Sequence, residues 1–390
     1  MVKRFVGFVL LALSAMALGG PVQARGDGRA GLFAWFDTLG YDAVVSGQFV
    51  RLDTMVHSKG KTLYLPSQYG FLVKSGSDFI VLGTDLALHR PGAPGLRGTL
   101  QYSDVDFQEW ARTAQSKKWD QMDFPYVRGP LTLPATLFVI SRACEARGLP
   151  VLSRDLYGKA QSTPPRWPSQ DGETFAQLLM EDLGDHAIWQ ALEDLRDLGF
   201  TRKDVVDELD RAVRSYPDNA NLLQASSVLD GLRPMLAEDD SHAMPNVAKL
   251  PASGRIAELI YELRDQTCGE SGDTPSRVIP PGTPAARLMK YGYAAVPQLL
   301  AALEDERPTR CVVPEWSLAS PMEIRDVAKY ILEAIAHRSF GAPAWCRGNR
   351  DAADEQAAEI EESARGWWAE RTRTAQVRPH KRNPSTRKRR

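Results

Sequence analysis

The chain has 390 residues, of which 43% are hydrophobic, 25% charged and 8% aromatic. This composition is that of an ordinary globular protein, and it excludes wholesale disorder and a collagen-like repeat. Only one apolar run, near the N-terminus, is long enough to engage a bilayer, which excludes a polytopic membrane protein. At about 150 residues per domain, the length predicts two or three domains.

Residues 1–24 have the pattern of a secretory signal peptide. Lys3 and Arg4 form a positive n-region, 5–18 form an apolar h-region, and 22–24 form a small-residue cleavage site. The alternative is an uncleaved membrane anchor, but the apolar run is short for a spanning helix. We therefore expect export from a bacterial cell, to the periplasm, envelope or exterior, with no transmembrane anchor after cleavage.

Charge is distributed unevenly, with a basic tail at 371–390. The signal segment and the tail carry two and nine basic residues and no acidic ones, so the segment between them has a net charge of −12, against −1 for the whole chain. The tail has little apolar material to bury and is predicted to be disordered. It either attaches the protein to an anionic polymer, through residues such as Arg387, Lys388, Arg389 and Arg390, or folds back loosely on the acidic body. No aromatic residue is interleaved with its charges, so specific nucleic-acid binding is not expected.

Residues 28–125 predict a small α+β module. A short amphipathic helix over 31–39 precedes strand-like runs, and a second helix is predicted from 104 to 114. The apolar runs 70–73 and 79–82 flank a five-residue turn that contains Gly, which is typical of a β-hairpin. Further short strands are predicted at 49–52, 62–65 and 99–102.

In residues 133–243 the apolar residues recur with the spacing of α-helices. Helices are predicted at 135–147, 149–161, 173–198, 201–215 and 220–236. Gly148 separates the first two by a tight turn, and Thr201 with Asp204 forms a capping box at the start of the fourth. The third helix is predicted to break or bend near Gly184.

This region weakly resembles tetratricopeptide-type helical hairpins, through 142–148 followed by 154–160 and through 212–218. A complete repeat of about 34 residues does not recur, and unrelated amphipathic helix pairs are the alternative.

Residues 251–370 carry a sharper pattern. Ile256, Leu259, Ile260 and Leu263 follow the spacing of a core-facing helix. The segments 283–292 and 294–305 look like the two helices of a HEAT repeat, with Pro297 in the first turn of the second. The segment 326–336 is similar to the first helix of a following repeat, and a final helix is predicted at 351–371.

The chain thus resembles bacterial secreted HEAT-repeat domain-containing proteins. The resemblance implies a mainly α fold, in which a short HEAT-like α-solenoid follows helical hairpins and the small N-terminal α+β module. It also implies a long surface for a partner, and it implies no catalytic residues. The segments 307–321 and 338–350 interrupt the period, so the solenoid should be short.

Export would make the cysteines disulfide partners. Four cysteines allow three complete pairings, which the sequence does not separate. A bridge between Cys268 and Cys311, across a helical hairpin, is the favoured one, and buried free thiols are the alternative for all four, Cys144 and Cys346 included.

Trp367 and Trp368 are adjacent on the last predicted helix. Successive helical residues point about 100° apart, so both rings can be buried only if the helix is covered broadly. One interpretation is that they cap the core of the solenoid. The other is that they form an aromatic hot spot for a partner.

No residue is predicted to be catalytic, to bind a cofactor or to ligate a metal. The run 268–273 is similar to the sequence around a trypsin-like serine, but it follows a predicted helix and has Asp273 in place of the second glycine. The cysteines and the six histidines lack metal-ligand spacing, and nucleotide-binding motifs are absent from the sequence.

These features favour an exported, non-enzymatic interaction scaffold that binds another envelope or secreted protein through its helical C-terminal half. Two alternatives stay open. One is an enzyme of unknown class with a site in the N-terminal module or at a domain junction, and the other is a polyanion-binding protein that acts through the basic tail.

Overall fold

The computed structural model of the chain describes residues 28–58, 61–64, 67–76, 79–84, 86, 88–91, 99–116, 132–163, 174–243, 245–269, 279–314, 319–342 and 350–377. The predicted signal peptide, Ser271, Cys346 and the tail residues Arg387, Lys388, Arg389 and Arg390 lie outside these residues. The described part is mainly helical, at 64%. The chain divides into two compact units, residues 1–92 with 96–183 and residues 93–95 with 184–390, which are described separately below.

The first unit contains a six-stranded antiparallel sheet and helices. Its elements are α1 (Arg29–Asp37), α2 (Asp42–Ser46), β1 (Gln48–Ser58), β2 (Lys61–Tyr64), β3 (Gln68–Lys74), β4 (Ile80–Gly83), β5 (Leu88–His89), β6 (Thr99–Asp104), α3 (Phe107–Ser116), α4 (Leu133–Ala146), α5 (Pro150–Ser162) and the beginning of α6 (Phe175–Arg196). The strand order is β2-β1-β3-β4-β5, and β6 pairs with β1.

The predicted hairpin between β3 and β4 is confirmed, with Phe71 opposite Leu82 and Leu72 opposite Val81. Alternation along the strands buries apolar residues on both faces of the sheet. Val50, Leu52, Phe79, Val81 and Leu100 form one cluster, and Phe49 contacts Phe71, Phe107 and Trp110 in another.

Helices α4 and α5 form the predicted helical hairpin. Gly148 joins them with φ +72°, a left-handed conformation that glycine adopts without steric cost. The α4 residue Phe138 is fully buried and its ring lies 5.5 Å from those of Phe33 and Phe36 on α1. The thiol of Cys144, also on α4, is buried, and burial raises its pKa to about 12. Cys144 is therefore an inert core thiol.

The second unit begins with the end of α6, followed by α7 (Arg202–Ser215) and α8 (Leu222–Ser241). The predicted capping box of α7 is confirmed, because Thr201 and Asp204 exchange side-chain and backbone hydrogen bonds. Leu192, Val205, Leu209, Leu229 and Leu232 belong to the apolar cluster that these three helices share.

The break predicted near Gly184 is absent, because α6 runs without interruption from Phe175 to Arg196. A glycine stands at this position because there is no room for a side chain. A Cβ at this position would lie 2.6 Å from Asn219 Nδ2 and 3.1 Å from Tyr216 Cβ. Gly184 thus allows the segment between α7 and α8 to approach α6 closely.

A Gly184→Ala substitution is therefore expected to lower the free energy of unfolding by about 1–3 kcal/mol through overpacking, despite the better helix propensity of alanine. Gly366→Ala is the matched control, because a Cβ at Gly366 meets nothing within 4 Å. The control should be neutral or raise stability by up to about 1 kcal/mol. Denaturant titration measures both, and a stabilised Gly184→Ala variant would contradict the packing argument.

The rest of the second unit consists of short helices, one β-hairpin and two longer helices. The elements are α9 (Ala252–Tyr261), α10 (Pro284–Met289), α11 (Val296–Ala301), β7 (Pro308–Pro314), β8 (Ala319–Glu323), α12 (Ile324–Ala336) and α13 (Arg350–Val377). Turns of 3₁₀ helix follow α9, α10 and α11, at Glu262–Asp265, Gly292–Ala294 and Ala302–Glu304. One core cluster includes Leu259, Leu288, Leu299, Ile331 and Ile360 and so joins all five helices.

One expectation for this region needs correction. The two segments that resemble a HEAT repeat form shorter α-helices than predicted, each followed by a 3₁₀ turn. The segment 307–321, which was expected to interrupt the HEAT-like helical pattern, contains the antiparallel hairpin β7–β8. The run Thr309 to Val313 is rich in β-branched residues, which favour a strand, and Pro308 and Pro314 bound it.

Candidate functional site

Helix α13 presents one face to the core of the second unit and carries an aromatic pair in its second half. Ile360 and Ala364 are buried on that face. One to two turns further along, Trp367 and Trp368 are half-buried and pack against the same core cluster. Spacings of three, four, seven and eight residues place all four side chains on the core-facing side of the helix.

Trp367 and Trp368 belong to a group of four rings, which we call the aromatic cluster: Tyr293, Phe340, Trp367 and Trp368. The two tryptophan rings lie 5.8 Å apart. Tyr293 stacks on Trp368 at 6.3 Å with an interplanar angle of 20°, and Phe340 lies 5.6 Å from Trp367. These separations are those at which aromatic rings attract one another beyond simple burial.

The outer side of the aromatic cluster is open to solvent. Tyr293, one of its four rings, is 41% exposed. The guanidinium carbon of Arg371 lies 3.8 Å from the centroid of the Tyr293 ring, which places a cation over the π face. Because Arg371 already occupies a face of the Tyr293 ring, the cluster offers a partner the exposed part of Tyr293 and the half-buried tryptophans as apolar contacts.

Two ion pairs hold α13 in the position that forms this cluster. Arg365 on α13 donates to Glu304 at 2.8 Å, and Arg325 on α12 donates to Asp354 on α13 at 3.1 Å. Arg325 is 7% exposed, and its pKa is raised: the carboxylates, Glu323 foremost among them, outweigh the opposing effect of burial. The charged form of Arg325 is thus favoured in the fold.

A network of buried arginines supports the rest of the second unit. Arg202 on α7 donates to Asp239 on α8 at 2.5 Å and to Asp265 at 2.7 Å. Arg264, which is 1% exposed, donates to the other oxygen of Asp239 at 2.7 Å. Arg310 on β7 donates to Asp265 at 3.0 Å. Each carboxylate thus joins two arginines from different elements, which marks the network as structural.

The structure places the predicted site residues as follows. Trp367 and Trp368 are brought together with Tyr293 and Phe340. Cys268 and Cys311 are neighbours and are free thiols in the structure. The final helix is longer than the predicted 351–371, because α13 continues to Val377, and residues 372–377 of the predicted disordered tail are therefore helical.

Other chemistry has little basis in the described residues. No group of three His, Cys, Asp or Glu side chains suited to a metal ion occurs in the part of the chain that the structure describes. None of the helices there combines the length and the apolar character needed to cross a membrane. No protein-family model, curated protein or solved structure matches the chain.

Proposed function

We propose that this chain is an exported, non-enzymatic interaction scaffold that binds a partner protein of the cell envelope through its aromatic cluster. The finer fold assignment is part of the proposal, in which α9 to α13 act as a short HEAT-like solenoid. The single observation that carries it is the partly exposed group of Tyr293, Trp367 and Trp368, with the guanidinium of Arg371 on the Tyr293 ring.

The residue types in the aromatic cluster and the contacts that hold them in place both favour a binding surface. Tryptophan, tyrosine and arginine are the residues that most often dominate the energy of protein interfaces. Rigid aromatic side chains lose little conformational entropy on binding, and here they are held on a helix by core packing and two ion pairs.

Affinity capture from envelope extracts tests this proposal against the polyanion alternative. The bait is the chain from Arg25, run beside a version that ends at Val377 and so keeps all of α13 and the contact between Arg371 and Tyr293. We expect the same specific proteins on both baits at raised salt, because contacts between aromatic and apolar groups are screened little. Capture that needs residues 378–390 and disappears at raised salt would contradict the scaffold and favour the polyanion hypothesis.

A further inference from the structure

Cys268 and Cys311 come together from segments that are 43 residues apart in the sequence. Cys268 follows the 3₁₀ turn after α9, and Cys311 lies in β7. Cys268 packs against the apolar group that contains the buried Cys311. The Sγ of Cys268 also lies 3.6 Å from the carbonyl oxygen of Val312, the residue after Cys311. The fold thus brings the two cysteines into one side-chain group.

The two thiols differ in exposure. Cys311 is fully buried with Val313, Met322 and Tyr330, and its Sγ lies 3.3 Å from the Met322 Sδ. Cys268 is half-buried at the edge of that group, so a reagent from solvent reaches it first.

The two thiols also differ in acidity. The neighbouring Cys311 thiol lowers the pKa of Cys268 by acting as a hydrogen-bond donor that stabilises the thiolate, and this outweighs the opposing effect of burial. The same hydrogen bond, together with burial, raises the pKa of Cys311. Since the thiolate is the nucleophile in disulfide chemistry, the accessible member of the pair is also the more reactive one.

We propose that Cys268 and Cys311 form a thiol–disulfide exchange site, in which Cys268 attacks an incoming disulfide and Cys311 resolves the product. This site is separate from the aromatic cluster and does not depend on the proposed scaffold function. Its co-substrate is an oxidised disulfide, either a small molecule such as oxidised glutathione or the disulfide of a protein.

The exchange proceeds in two balanced steps. The Cys268 thiolate attacks one sulfur of the external disulfide, whose S–S bond breaks, and the first external thiolate leaves and takes up a proton. The Cys311 thiol then gives its proton to water, and its sulfur attacks the Cys268 Sγ. The S–S bond of the mixed disulfide breaks, and the second external thiolate leaves and takes up a proton. Two cysteine thiols are oxidised to one intramolecular disulfide, and one external disulfide is reduced to two thiols.

The first test is alkylation of the reduced, folded, unmodified chain, with peptide mapping to assign each label. Cys268 is expected to react at least about tenfold faster than Cys311, and to reach half its maximal rate below the pH of about 8.5 that is typical of free cysteine. Cys144 is the internal control for a buried thiol. Equal labelling of Cys268 and Cys144 would overturn the proposal.

The second test treats the reduced chain with oxidised glutathione. The unmodified chain should end with a Cys268–Cys311 disulfide and no bound glutathione. The Cys311→Ala variant should accumulate glutathione on Cys268, and the Cys268→Ala variant should leave Cys311 unmodified over the same time. Glutathione on Cys311 first, or a disulfide from Cys268 to Cys346 in the unmodified chain, would overturn the assignment.

Discussion

An Arg310→Ala substitution is expected to lower the free energy of unfolding of the second unit by about 3 kcal/mol. The Arg310 side chain is almost fully buried. Its guanidinium donates to the carbonyl oxygens of Leu195, Asp197 and Phe200 at 3.0, 3.2 and 3.1 Å and to Asp265 at 3.0 Å. The three carbonyls lie at or just after the C-terminus of α6, where a cation is also favoured by the helix dipole.

Denaturant titration followed by circular dichroism measures this loss. The matched control is Arg233→Ala, since Arg233 is half-exposed and pairs with Asp210 and Asp230 at the surface. Such a pair contributes less than about 1 kcal/mol. Arg310→Lys should restore only part of the stability, because an ammonium cannot reach four acceptors with the geometry of a guanidinium. Equal effects of Arg310→Ala and Arg233→Ala would contradict the anchoring role of Arg310.

A Trp368→Ala substitution is expected to weaken binding of the captured partner about 30-fold, the effect of a hot-spot residue of about 2 kcal/mol. Because Trp368 is half-buried on the core cluster, the variant should also unfold more readily, by about 2 kcal/mol. Binding therefore has to be measured at a temperature where the variant is folded.

The matched control is Trp189→Ala. Trp189 is a half-buried tryptophan of the same unit that packs against a different core cluster, on α6. Its loss should cost similar stability and leave the affinity for the partner unchanged. If both variants lose affinity equally, the effect comes from general destabilisation and the aromatic cluster is not the binding surface.

Much of the local structure is predictable from the sequence because its signals are local. The β3–β4 hairpin follows from two apolar runs around a glycine-containing turn, and the start of α7 follows from Thr201 and Asp204. The tight turn at Gly148 is predicted by the position of this glycine between two runs with a helical period. The mainly helical character is equally visible in the periodicity of the chain.

The remaining features depend on contacts between residues that are far apart in the sequence. The periodicity of a segment does not show which distant residues it contacts. Gly184 is required by Tyr216 and Asn219, which are more than thirty residues away, and the sequence around Gly184 does not show this contact. Arg310 lies more than a hundred residues from the carbonyls that it binds. In the candidate site, the tryptophan pair is visible in the sequence, whereas Tyr293 lies in a short turn whose position next to α13 has no sequence signal.

The most direct test of the binding account is the affinity of the isolated partner for the Tyr293→Ala variant. Tyr293 is 41% exposed and lies in a 3₁₀ turn, so its removal should change the unfolding free energy by less than about 1 kcal/mol. The account predicts an affinity loss of at least about tenfold, while Leu223→Ala, which removes an 85% exposed apolar side chain on α8, leaves affinity unchanged. An unchanged dissociation constant for Tyr293→Ala would contradict the account and leave the tryptophan pair with a purely structural role.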